Sequence, residues 1–218
     1  MALLETLRRW RRPKFRLDEG RWVVLDVESS GLDVRRDRLL AVAAIAVKVH
    51  GPRAVIDIAD SFEVVLQQPQ ASAAPDRQNI LLHGIGVGAQ RAGLERSLAL
   101  QSFATYVRAS PLIAFHADFD RALIERAFRA EAMTPPANDW LDLEPLAAVL
   151  QPKVKARSLD EWMLALGITC AVRHQAAADT LATAELLLKL WPVLRSELGT
   201  PSFRAAVGLA AQRRWLPG

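Results

Sequence analysis

The stretch "WVVLDVESSGLD" (residues 22–33) ends an apolar run with two carboxylates, Asp26 and Glu28, and then turns at Gly31. Residues two apart on a strand point to the same face, so the two acids share one. Two unit charges about 4 Å apart repel by roughly 4 kcal/mol at an effective dielectric near 20. A strand end tolerates such a pair when a cation joins the acids or when both point into open water. Ligands in open α/β sheets bind beyond the carboxyl ends of the strands, which is where these acids fall.

Around this stretch the apolar runs 21–28, 38–49 and 54–66 are rich in Val, Ile and Leu. Turn signals bound them, which predicts three strands joined by connections short enough for antiparallel neighbours. The segment 67–79, "QQPQASAAPDRQN", reads as a polar loop of a length that is often functional. A helical pattern runs from about 94 through Arg108, "PLIAF" (111–115) suits a buried strand, and 119–131 suits a helix. Ser158 and Glu161 in "SLDE" form a capping-box pattern for a helix that Gly167 closes. A long helix follows from about 176 to 195, and Pro201 is expected to start a terminal one at its first turn. Trp140, Trp162 and Trp191 read as core positions. Strands followed by alternating helix and strand predict an α/β fold with a mixed sheet.

Length and composition bound the rest. A chain of 218 residues with 51% hydrophobic content suits one domain with short appendages. The expected organisation is a basic amphipathic helix within 1–20, a main α/β domain over 21–195, and a helical extension over 196–218. Leu3, Leu4, Leu7 and Trp10 lie at helical spacing within the first of these. A single cysteine, Cys170, excludes an internal disulfide framework. The longest apolar run is too short to cross a bilayer, and the N-terminus lacks the apolar stretch of a secretory signal, so a cytoplasmic protein is expected. The net charge is +4, with bases gathered near the ends (Arg8, Arg9, Arg11, Arg12, Lys14 and Arg16; Arg213 and Arg214). A polyanionic partner and a merely solvated basic surface both remain open on that ground.

Two further segments carry acids. "LIAFHADFDRALIERAF" (112–128) runs a buried strand into a helix whose first turn holds Asp118 and Asp120. An acid there is also what helix capping asks for. "RHQAAADTLATAELLL" (173–188) supplies His174 and Asp179. Five residues on one helix separate them by about 140°, so His174 must precede the helix and Asp179 lie within it for both to face one site.

Taken together, Asp-x-Glu, then an apolar strand into Phe-Asp, then His-x4-Asp resembles the DEDDh 3′–5′ exonucleases, and the epsilon proofreading group most of all. "VVLDVESSGL" is similar to that family's first motif, "NILLHGI" (79–85) to its His-Gly-Ile segment, "HADFD" to its second motif and "RHQAAAD" to its third. The resemblance spans about Trp22 to Leu190. It implies an RNase H-like fold, a mixed five-stranded sheet flanked by helices. It implies two divalent cations, Mg²⁺ or Mn²⁺, on Asp26, Glu28, Asp120 and Asp179, with His174 as general base. It places Ser29, Leu32, His83 and Phe119 around the terminal nucleotide. Serines stand at 29 and 30 where threonines are usual, and His116 where an Asn is common.

The chemistry accounts for the residue types. Phosphodiester hydrolysis needs neutralisation of an anionic centre and hydroxide near neutral pH, and paired divalent cations supply both. Mg²⁺ and Mn²⁺ take oxygen ligands, which suits carboxylates. The implied partner is a single-stranded nucleic-acid 3′ end, DNA before RNA, with no membrane. A DNA polymerase is a further candidate, and Gln212, Trp215 and Leu216 faintly resemble a sliding-clamp docking peptide. The alternatives are an RNA-trimming relative and a non-catalytic nucleic-acid-binding module.

Overall fold

The structure is a computed structural model that describes residues 17–68 and 77–215. The expected N-terminal helix, most of the 67–79 loop and Leu216 lie outside the described residues.

Strand β1 (Arg21–Ser29) pairs antiparallel with β2 (Leu39–His50), and β2 with β3 (Arg53–Val65). On its other side β1 pairs parallel with β4 (Leu112–Ala114), and β4 with β5 (Trp140–Asp142). The order is therefore β3-β2-β1-β4-β5, a mixed sheet whose three parallel strands end on one edge. The helices are α1 (Arg77–His83), α2 (Val87–Ala92), α3 (Arg96–Val107), α4 (Ala117–Ala130), α5 (Leu143–Leu150), α6 (Leu159–Leu166), α7 (Ala176–Leu198) and α8 (Phe203–Ala210). A 3₁₀ turn, Ala211–Trp215, follows.

Alternation along β1 divides the core in two. Trp22 and Val24 face a cluster built with α5, α6, α7 and α8, while Val23, Leu25 and Val27 face α3 and α4. Asp26 and Glu28 continue the Trp22–Val24 side, the side that α7 covers. Their strand end carries an irregularity: Glu28 pairs with Ala41 but Ser29 with Leu39. Bulges of this kind re-aim side chains at a sheet margin.

The Ser158–Glu161 capping box is present in both directions, and Gly167 closes α6 at φ 64°. Several expectations need correction. Pro201 does not open the last helix; Ser202 caps it, its hydroxyl accepting from the Ala205 N–H, so the helix begins at Phe203. Phe203 then packs edge-on to Trp22 at 5.3 Å. Helices α1 and α2 occupy ground read as loop or left unassigned. Leu81 and Leu82 on α1 are exposed, so no amphipathic period betrays it. At the Gly31 turn the absence of a side chain accommodates Asp37. A Cβ there would meet the Asp37 carboxylate at 2.5 Å. That carboxylate binds the Ser30 hydroxyl and the Asp33 N–H.

Candidate active site

A cavity of about 710 Å³ opens over the carboxyl edge of the sheet. Asp26, Glu28, Asp120, His174 and Asp179 all line it, with Leu32, Phe115, Phe119, Arg157 and Arg173.

Each acid arrives by a different route. Asp26 and Glu28 come from the end of β1. Asp120 comes from the first turn of α4, where it is 3% exposed, whereas Asp118 faces solvent. This start of α4 is set by His116, which adopts the left-handed region (φ 61°) and gives its N–H to Asp142 Oδ1 at 2.9 Å. His is among the non-glycine residues that enter that region most readily. Asp142 ends β5, also accepts from the Glu144 N–H at 3.1 Å, and so binds the starts of two helices together. Asp179 comes from the first turn of α7, beside Thr180, whose hydroxyl donates to the Ala43 carbonyl at 3.2 Å. Ala43 is the β2 partner of Asp26, so this bond sets Asp179 next to the β1 acids.

Charge in the cluster is poorly balanced. Burial raises the Asp26 carboxyl well above the ordinary range, and Asp120, Glu28 and Asp179 raise it further, with Arg173 opposing. Burial also lifts Glu28 to about 8, with Asp179 adding to the rise. Asp120 is raised by burial, against the pull of the backbone N–H groups of Asp120 and Val27. Buried carboxylates that resist ionisation and face one cavity are what a cation would relieve. The donor set is all oxygen, which fits a hard divalent ion. Among the described residues no three acids or histidines already stand in a closed ligand arrangement. Asp179 is engaged within the protein: its Oδ1 pairs with the Arg173 guanidinium and its Oδ2 accepts the His174 N–H at 3.1 Å.

His174 lies before α7, exposed at the mouth, with its backbone in the left-handed region (φ 62°). Two expected substrate-side residues fall apart from the cavity lining. Ser29 is buried and gives its hydroxyl to the Gly31 carbonyl at 2.6 Å, which holds the turn. His83 is 3% exposed, its Nδ1 accepting the Ile85 N–H at 2.9 Å, and burial lowers its pKa. Leu32 and Phe119 do line the cavity, Leu32 standing 89% exposed. Arg173, Asp142 and Arg157 were missed from sequence. Arg173 adjoins His174, so proximity to the third motif was the available signal; Asp142 had none beyond a short apolar run.

A mixed five-stranded sheet with an acid-lined cavity over its carboxyl edge has the form of an RNase H-like nuclease. The RNase T exonuclease model matches residues 23–187, and the chain belongs to this exonuclease family, as the DEDDh resemblance implied. It is 30% identical over 174 residues to a DNA polymerase III of PolC type from Bacillus cereus, covering 80% of this chain and 12% of that protein. It is 30% identical over 197 residues to a DNA polymerase III subunit epsilon-like protein from Rhodobacter capsulatus, covering 88% and 26%. The chain thus spans about a quarter or less of these relatives. The fold is shared with E. coli exonuclease I in complex with a dT13 oligonucleotide (TM-score 0.67, 20% identity, 83% of this chain and 42% of that one).

Proposed function

We propose that the protein removes nucleotides from the 3′ end of single-stranded DNA, releasing nucleoside 5′-monophosphates. The observation that carries this reading is the convergence of Asp26, Glu28, Asp120, Asp179 and His174 on one cavity. The four carboxylates are the residues that would hold a pair of Mg²⁺ or Mn²⁺ ions. Such ions, when bound, supply an acidified water and stabilise the leaving oxygen. Asp26, pressed by all three other acids, is the carboxylate whose charge a bound cation would relieve most. His174 accepts a proton from the attacking water, whose oxygen bonds to phosphorus as the P–O3′ bond breaks. The departing O3′ takes up a proton from solvent, so the shortened strand leaves with a 3′-hydroxyl. Phe119 and Leu32 offer apolar surface to the last nucleotide, a contact that any base satisfies.

DNA is preferred over RNA because the relatives are DNA polymerase components by name. A polymerase is accordingly the proposed partner, and the segment from Gln212 is the part to test against a sliding clamp. Incubating 3′- and 5′-labelled DNA and RNA of one sequence with Mg²⁺, Mn²⁺ or EDTA tests the reading. Mononucleotide release from DNA, dependent on metal and starting at the 3′ end, is expected. No product with either ion overturns it.

A further inference from the structure

Between α5 and α6 the chain reads Gln151-Pro-Lys-Val-Lys-Ala-Arg157. Val154 and Ala156 turn inward onto the core, while Lys153, Lys155 and Arg157 are exposed. Arg157 and its neighbours Ser158 and Leu159 line the cavity. The row of cations therefore starts at the rim of the acid site and leads away from it along the chain.

Several other basic side chains of the described residues are matched with acids. Arg21 and Lys48 hold Asp60, Arg96 holds Glu131, Arg121 and Arg129 share Glu125, and Arg173 joins Asp160 to Asp179. Among the described residues no carboxylate forms an ion pair with Lys153, Lys155 or Arg157. The nearby Glu161 carboxylate is taken up by the backbone N–H groups of Arg157 and Ser158.

We propose that Lys153, Lys155 and Arg157 form a track for the sugar–phosphate backbone of the strand, holding phosphates on the 5′ side of the bond to be cut. The inference rests on the exonuclease reading and adds the path by which the strand leaves the cavity. The row begins in a turn, where the Gln151 carbonyl accepts the Val154 N–H at 2.9 Å. It runs on without regular structure to the cap of α6, so its cations line one short stretch of chain leading to the cavity. Contacts of this kind read charge and not sequence.

The test uses the full chain and its Lys153→Gln/Lys155→Gln variant. Binding of 5′-fluorescein-labelled oligothymidylates of increasing length is measured in EDTA across a salt series, and hydrolysis of a thymidine dinucleotide is measured with Mn²⁺. Binding by the unaltered chain is expected to tighten with length. The variant loses about tenfold in affinity for a twelve-nucleotide strand at low salt, and its salt slope falls by about 1.4, near 0.7 for each contact removed. Dinucleotide turnover, whose substrate is too short to reach the lysines, stays at the starting value. Arg53→Gln, on the exposed hairpin between β2 and β3, leaves the slope unchanged. Lys153→Glu/Lys155→Glu deepens the loss. A double variant that keeps the original slope and length dependence overturns the track. Absence of dinucleotide turnover in the unaltered chain would instead count against the exonuclease reading, because the binding series is read without catalysis.

Discussion

Arg173 and Asp179 form an ion pair at the lip of the cavity, and the same guanidinium reaches Asp160 at the start of α6. The pair ties the loop that carries His174 to two helices at once. Burial opposes the charge on Arg173, but its bonds to Asp160 and Asp179 prevail and raise its pKa. A cation held within the protein thus competes for one of the four acids. Replacing Arg173 by Gln is expected to tighten Mn²⁺ binding about tenfold, the equivalent of about 1.4 kcal/mol for a charge-assisted contact. Calorimetric titration of the metal reads this directly; unchanged or weaker uptake would show that the guanidinium does not compete.

His174 and Asp26 are expected to fail in different ways. His174→Ala should lower turnover by about 10²–10⁴, the usual worth of a positioned general base, while metal uptake stays near normal. Asp26→Asn should lose metal uptake and turnover together. Parallel calorimetry and single-turnover kinetics separate the two. Equal metal loss in both variants would place His174 among the ligands.

Asp142 holds the starts of α4 and α5 through backbone hydrogen bonds, and its charge also helps raise the Asp120 carboxyl. His116 and Glu144 both give it their N–H groups. Asp142→Ala leaves these helix starts without an acceptor and is expected to cost about 1–2 kcal/mol in urea unfolding. Because α4 carries Asp120, Mn²⁺ affinity should weaken as well. Asp142→Asn, which keeps an acceptor oxygen, should recover most of the stability.

Glu28 sets a pH dependence whose sign follows from its raised pKa. With a folded value of about 8 against an ordinary 4.5, the folded protein keeps a proton that the unfolded chain has released. Stability from this group is therefore full below about pH 4.5 and declines as pH rises toward 8. In EDTA the melting temperature should fall between pH 5 and pH 8.5. Mn²⁺ should remove most of that slope, and Glu28→Gln should make it shallower without metal, leaving the part that the raised Asp26 and Asp120 carboxyls contribute in the same direction. A metal-free profile that rises across this interval would contradict the assignment.

How much of this could be read from sequence depends on how local the signal was. The apolar run bounded by turn signals marked the extent of β1, and the period of two put Asp26 and Glu28 on one face. The capping box gave α6, and the spacing of His174 and Asp179 put one before α7 and the other on it. Strand β5 is three residues long and has no period to read, so Asp142 stayed hidden with it. Pairing of Arg173 with Asp160 depends on α6 and α7 meeting in space, which no local pattern encodes. Ser29 and His83 were placed by resemblance, and their hydrogen bonds inside the protein show what the fold asks of them first.

Helix α7 is fastened at two points. Thr180 grips the Ala43 carbonyl near the acids, and Trp191 Nε1 donates to the Pro52 carbonyl at 3.0 Å, on the hairpin at the opposite margin of the sheet. The helix therefore behaves as a strut whose length fixes how far Asp179 stands above Asp26. A change in the distant Gly51–Pro52 turn, though remote from the acid-lined cavity, would slide that strut and alter the spacing of Asp179 from the β1 acids.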